Sequence, residues 1–321
     1  MSAAIEVRDL QVQFVRGAMH TSVVRGVSFE IAPGECLGVV GESGSGKTQL
    51  FLAVMGLLAG NARASGSVRV EGEELLGARA GVLNRWRGTK LAMVFQDPMN
   101  SLTPHVRIGT QLTEVLRVHA RLAPRAALDR AVQLLGRVGI ASAGRRVRDY
   151  PFEFSGGERQ RIVIAMSLLC SPSLVIADEP TTALDVTVQA QILGLLCELR
   201  RESGMALALV SHDLAVIAAL ADRVAVMYAG RIVESAGRRT LLHAPRHPYS
   251  AELLRCVPRL DAPLAPRMPT LTGSPPSAGA VDLGCAFAPR CPRAQARCRT
   301  DRPSLHAEGD TQVACHYPVP V

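Results

Sequence analysis

The chain has 321 residues, 48% hydrophobic and 20% charged, enough to bury a full core and too apolar for wholesale disorder. Its net charge of +8 raises nucleic acid or anionic lipid as partners, but the excess sits in scattered arginines with almost no aromatics interleaved for base stacking. The longest uncharged stretch, residues 162–177, is broken by Pro172 and followed by Asp178-Glu179, so it reads as a core helix, a turn and a buried strand rather than a membrane span.

The start, Met1 to Arg8, carries no apolar signal core behind a basic flank, so a cytosolic site is expected, with membranes reached through partners. Alternating runs over Ile5 to Phe14 and Val27 to Ile31 predict an antiparallel β element. Cys36 to Val40 then reads as a buried strand and Gln49 to Met55 as a helix. Between them Gly41-Glu42-Ser43-Gly44-Ser45-Gly46-Lys47-Thr48 matches G-x-x-x-x-G-K-[ST]. Glycines let such a loop turn successive N–H groups onto a phosphate, while Lys47 adds charge for the outer phosphates and the Thr48 hydroxyl suits Mg²⁺. The positive N-terminus of the following helix faces the same anion.

Ser67 to Val70 and Leu91 to Phe95 add strands. From about 104 to 139 the pattern turns helical, with Leu128, Val132, Leu135 and Val138 on one face, and looks like a helical subdomain inserted into the core. In Phe154-Ser155-Gly156-Gly157-Glu158-Arg159-Gln160-Arg161, Ser155 is a natural N-cap and the glycines permit close approach. Either a second anion-facing helix start or a plain cap before a core helix accounts for it. The apolar strand Leu174 to Ala177 ends in two acids. Asp178 fits a Mg²⁺-holding aspartate and Glu179 a general base that polarises water, unless the pair merely caps a turn. A helix with Val188, Ile192, Leu195, Leu196 and Leu199 on one face follows, then strands Leu207 to Val210 and Val224 to Tyr228. Beyond Gly237, Pro245, Pro248, Pro258, Pro263, Pro266, Pro269, Pro275 and Pro276 break any long element, so a separate, loop-rich appendage is expected.

Four of the eight cysteines cluster there as C-x5-C-x6-C-x16-C, Cys285, Cys291, Cys298 and Cys315. Disulfides are disfavoured in the cytosol, so a metal centre is suggested. Zinc favours a tighter C-x2-C knuckle, and four thiolates in irregular loops suit a [4Fe–4S] cluster; iron–sulfur, Zn²⁺ and unliganded thiols all stay open. Cys36, Cys170 and Cys197 fall on strand or helix patterns and read as core-filling.

Taken in order, the P-loop, Gln96, Ser155-Gly156-Gly157, Asp178-Glu179, Ala183-Leu184-Asp185 and His212 resemble the nucleotide-binding subunits of ATP-binding cassette (ABC) transporters over Ile5 to about Gly237. The resemblance implies an α/β fold, an ABC-type P-loop NTPase core with an antiparallel β subdomain and an inserted helical subdomain. The domains expected are 1–237 for nucleotide binding, its helical subdomain at about 104–170, and a C-terminal extension over 238–321. It also implies that two subunits sandwich two ATP molecules. The backbone from Gly41 to Thr48, with Lys47 and the adjoining Gln49, would hold phosphates, Thr48 and Gln96 would coordinate Mg²⁺, and Asp178 would stand in its outer shell. Glu179 would polarise water, His212 would contact the γ-phosphate, and Asp185 would couple the subunits. Ser155, Gly156 and Gly157 would reach the other subunit's ATP, and Phe14 is the best match to the adenine-stacking aromatic, though it suits the core equally. Phe154 stands where that family usually has Leu, and Glu158 follows the glycine pair.

Arg246-His247-Pro248-Tyr249-Ser250 narrows the resemblance to dipeptide and oligopeptide importers, most nearly the dipeptide-importing members. The segments Phe95 to Pro104 and Ala177 to Thr187 agree, and similar cysteines in related peptide importers favour the [4Fe–4S] reading. The implied partners are a second ATPase subunit in a heterodimer, two transmembrane permeases seated near Gln96 and the helical subdomain, and an extracytoplasmic peptide-binding protein. The implied location is the cytoplasmic face of the inner membrane. Nickel, oligosaccharide or glutathione import would use the same architecture. A soluble ABC ATPase acting on nucleic acid is the other class; a single core, no coiled-coil insertion and the His-Pro-Tyr segment count against it.

Overall fold

A computed structural model describes residues 3–96, 101–181, 184–256, 271–276 and 283–320. Residues 97–100, Thr182, Ala183, Pro258, Pro263, Pro266 and Pro269, which carry parts of the reading above, lie outside the described residues. The chain divides into two compact units, one of Glu6–Glu30, Cys36–Leu76 and Ser211–Val321, the other of Met1–Ile5, Ile31–Glu35 and Gly77–Val210.

The first unit begins with a hairpin, β1 (Ile5–Arg16) and β2 (Met19–Ile31) turning at residues 17–18. β3 (Cys36–Val40) and α1 (Lys47–Met55) flank the P-loop, and β4 (Ala62–Val70) and β5 (Glu73–Glu74) complete a sheet of order β2-β1-β4-β5. All five residues of β3 are buried, as expected of an apolar strand covered on both faces.

In the second unit lie α2 (Ala80–Trp86), β6 (Leu91–Val94), α3 (Ile108–His119), α4 (Pro124–Arg137), α5 (Ala143–Arg146), α6 (Gly156–Leu168), β7 (Leu174–Asp178), α7 (Val186–Ser203) and β8 (Ala206–Ser211). β6, β7 and β8 run parallel in register, Ala92 opposite Val175 and Ile176 opposite Ala208. α4 keeps part of the predicted face, with Leu135 and Val138 buried and Val132 half-buried, but its buried stripe is shifted. Ala127, Ala131, Leu134 and Leu135 are buried while Leu128 is 40% exposed. Two alanines one turn apart let neighbouring helices approach closely, and a stripe drawn through the larger residues misses that. α7 keeps its predicted face with Leu193 added, but Val188 is only half-buried.

The chain returns to the first unit through α8 (Leu214–Leu220), β9 (Arg223–Tyr228), β10 (Arg231–Gly237), α9 (Arg238–His243), α10 (Pro248–Arg255), α11 (Ala296–Thr300), β11 (His306–Glu308) and β12 (Thr311–Val313). β3 pairs with β9 in parallel, and β9 with β10 antiparallel. Antiparallel pairing of β12 with β10 sets Val313 opposite Glu234 and Thr311 opposite Ala236, so strands from beyond Gly237 extend the P-loop strand's own sheet. Three-residue strands are too short to show a period, which is why the sequence gives no sign of them. Among the described residues, no helix is long and apolar enough to cross a membrane.

Candidate functional site

The P-loop closes around Lys47. Its side chain is buried, and Nζ donates to the Gly41 carbonyl at 2.7 Å, the Glu42 carbonyl at 3.1 Å and Ser45 Oγ at 3.4 Å. Gly46, at φ 99, is the N-cap of α1, and a Cβ there would lie 2.5 Å from the Val23 carbonyl oxygen; only glycine fits. The N-cap Gly46 has no side chain to cap α1, which leaves the first-turn N–H groups suited to an anion. A buried ammonium in a glycine turn at a helix N-terminus suits a polyphosphate, and the adjacent Thr48, a residue type that can ligate Mg²⁺, is exposed. Ser43 and Gly44 are exposed and Gln49 is half-buried. Phe14 is half-buried on β1 rather than in the core, and His212 is exposed in the turn after β8.

Glu42 behaves differently from the rest of the loop. Its N–H donates to Tyr249 Oη at 2.9 Å, and its carboxylate receives Arg290 Nη1 at 2.6 Å and Nη2 at 2.9 Å. Tyr249 belongs to the His-Pro-Tyr segment and Arg290 precedes Cys291, so both reach the loop from the appendage. Nothing periodic in the sequence marks Arg290; as one arginine among many it reads as surface charge.

In the other unit, Asp178 ends β7 at 2% exposure, and Glu179 follows at φ 47, a conformation a non-glycine residue holds only under constraint. Its N–H donates to the Val210 carbonyl at 2.9 Å, and its Oε2 receives Gln96 Nε2 at 2.9 Å. Gln96 and Glu179, 83 positions apart, are thus brought together. Asp185 caps α7, accepting the Val188 N–H at 2.9 Å.

Ser155 caps α6 within a capping box: its hydroxyl accepts the Glu158 N–H at 3.3 Å, and Glu158 accepts the Ser155 N–H at 2.9 Å. Arg146, unmarked by any motif, lies over the Phe154 ring at 4.0 Å and pairs with Glu158. The two departures noted above therefore share one cation. Burial opposes charge on Glu158, but Ser155 and Arg146 outweigh it and hold its carboxyl below the usual range. At Gly157 a Cβ would meet Val188 Cγ1 at 2.6 Å, so the bare backbone is what lets α6 start against α7.

Cys285, Cys291, Cys298 and Cys315 line one cavity with His247 and Phe287. Burial pushes the Cys285 and Cys291 thiols up, and that of Cys315 to about 11. Yet among the described residues no group of three or more His, Cys, Asp or Glu is placed to hold a metal ion. The expected metal centre thus finds its thiols facing one space but not drawn into a ligand set. A single zinc would need four sulfurs at about 2.3 Å from one point.

Residues 24–182 match the ABC transporter family, and residues 233–298 the C-terminal region of oligopeptide/dipeptide transporters. The chain is 47% identical to the oligopeptide transport ATP-binding protein OppD of Escherichia coli, over 99% of this chain and 94% of that one. It is 48% identical to OppD of Salmonella typhimurium, over 98% and 94%. Against OppD of Mycobacterium tuberculosis it is 49% identical over 98% of its length and spans 52% of that protein. Among solved structures it is similar to the dimeric ABC transporter cassette MJ0796, with TM-score 0.65, 25% identity, and 73% of this chain and 99% of that one covered. It is similar also to cbiO1 of Clostridium perfringens, with TM-score 0.65, 25% identity, and 76% and 92% covered.

Proposed function

This chain belongs to the ATP-binding subunits of ABC oligopeptide transporters, an ATP-hydrolysing family, and from that premise we propose that its ATPase drives uptake of oligopeptides. The observation carrying the proposal is that one chain joins a P-loop closed on Lys47 to the His-Pro-Tyr segment that bonds that loop through Tyr249.

The domain reading is a nucleotide-binding part over 1–237, with a helical subdomain at about 104–170, and an extension over 238–321. The backbone from Gly41 to Thr48 and Lys47 hold the phosphates, Gln49 adjoins them, and Phe14 stacks on adenine. Thr48 and Gln96 would coordinate Mg²⁺, with Asp178 in its outer shell, and the ion would supply neutralisation of the phosphate charge. Glu179 accepts the proton of the attacking water, oriented by its hydrogen bond from Gln96. His212 contacts the γ-phosphate. Ser155, Gly156 and Gly157 act on ATP held by a second ATPase subunit, to which Asp185 couples. The assembly includes two permeases and a peptide-binding protein, with this subunit peripheral on the cytoplasmic face of the membrane.

For the appendage, Cys285, Cys291, Cys298 and Cys315 line one cavity without being drawn into a ligand set, and they are the residues that would hold a [4Fe–4S] cluster, the reading put to test. Iron and sulfide analysis of anaerobically purified protein tests it; stoichiometric zinc, or no metal, refutes it. Peptide uptake into proteoliposomes holding the assembled transporter, with and without internal ATP, tests the main reading. ATP-driven uptake of labelled oligopeptide is expected. Transport of nickel or glutathione in its place would overturn the cargo.

A further inference from the structure

The appendage reaches the nucleotide loop at Glu42, where it supplies the acceptor for the backbone N–H and both donors to the carboxylate. Arg290 is 5% exposed at its side chain and forms a two-pronged pair with Glu42, itself 24% exposed. Such a fork fixes both distance and direction, and a pair so little exposed is weakly screened. The guanidinium is braced in turn, with Nε donating to the Thr272 carbonyl at 2.8 Å and Nη1 reaching Tyr228 Oη at 3.3 Å. From the other side Tyr249 Oη accepts the Glu42 N–H. The rings that carry these groups form one cluster, with centroids 4.6 Å apart for Tyr228 and Tyr249 and 5.4 Å for Tyr249 and Phe287.

We propose that Arg290 and Tyr249 are positioning residues of the nucleotide site, holding the P-loop in its phosphate-binding form through Glu42 and neutralising a carboxylate that would otherwise repel the triphosphate. The proposal rests on the reading of the P-loop as an ATP site. Two effects follow from the geometry. The loop's N–H groups converge on an anion only if the turn is fixed beforehand, and a fork on its second residue removes that freedom before ligand arrives. And without Arg290 the Glu42 carboxylate would add to the loop a charge of the same sign as the triphosphate, and like charges oppose each other.

The second effect gives the experiment an ordering that loss of packing does not produce. MgATP binding to the full-length chain is titrated for wild type, Arg290→Gln, Arg290→Lys, Glu42→Gln, Tyr249→Phe and the Glu42→Gln/Arg290→Gln pair, with thermal melts alongside. Arg290→Gln is expected to weaken binding about tenfold, a change of about 1.4 kcal/mol. The double variant should recover most of that loss, because the unpaired carboxylate is gone. Arg290→Lys should fall between, retaining charge but not the fork. Tyr249→Phe should weaken binding severalfold while keeping its ring contacts. Wild-type affinity in Arg290→Gln, or a double variant as weak as that single one, overturns the proposal. Should Arg290→Gln fail to fold, Arg290→Lys and Tyr249→Phe decide, and wild-type affinity in both overturns it. If the wild type itself binds no MgATP, the nucleotide reading falls and this inference with it, a result distinct from normal binding in wild type and variants alike.

Discussion

Glu179 is held in a backbone conformation that few non-glycine residues occupy, with its carboxylate on the Gln96 amide. A general base needs that kind of fixed direction, so Glu179→Gln, which preserves size and an acceptor oxygen, should lower ATP turnover of the assembled transporter by about 10²–10⁴ and leave MgATP binding near normal. Turnover within a few-fold of wild type would remove Glu179 from the role. At Gly46 the constraint is steric. An alanine Cβ would meet the Val23 carbonyl at 2.5 Å, so Gly46→Ala should abolish detectable MgATP binding, and a variant that binds normally would show that the loop has room to shift. Both residues are marked in the sequence by contiguous motifs. The left-handed turn at Glu179 is not, because backbone strain leaves no trace in residue type when the residue is not glycine.

The start of α6 shows how one element can serve two ends. Ser155 and Glu158 satisfy each other's backbone N–H groups, and Arg146 joins Glu158 to the Phe154 ring. Ser155→Ala should cost about 1 kcal/mol of stability through the lost cap, measured by denaturant unfolding. Glu158 tests the cap through pH. Its folded pKa lies below its unfolded value of 4.5, so the stability it adds is fully present above that value and is lost as pH falls through the lowered one. The stability gap between wild type and Glu158→Gln should therefore be widest near neutrality and narrow in acid; a gap that persists unchanged at low pH would assign the effect to packing. Ser155 and Glu158 are legible as an S-x-x-E pattern, whereas Arg146, twelve positions before Glu158, is not. Leu135 and Val138 of the predicted α4 face are buried, but the alanine part of that face is not legible for a related reason: Ala127 and Ala131 bury little area each, yet they decide how closely the helix packs.

The segment beyond Gly237 is woven into the unit that holds the P-loop, through β12 beside β10 and through the aromatic cluster of Tyr228, Tyr249 and Phe287. Val313 is fully buried in β12, so Val313→Ala should cost about 2 kcal/mol and lower the melting temperature of the whole unit in one transition. An early, separate melting step would show that the segment folds on its own. The sequence by itself determined the P-loop, the acid pair after β7, the cap of α6 and the cysteine set, because each is written in residues close enough to act within one turn, strand end or loop. Only the tertiary structure decided that Arg290, 248 positions from Glu42, closes on the nucleotide loop. That contact depends on how distant strands and short helices pack, and no local propensity or period records where a chain will meet itself.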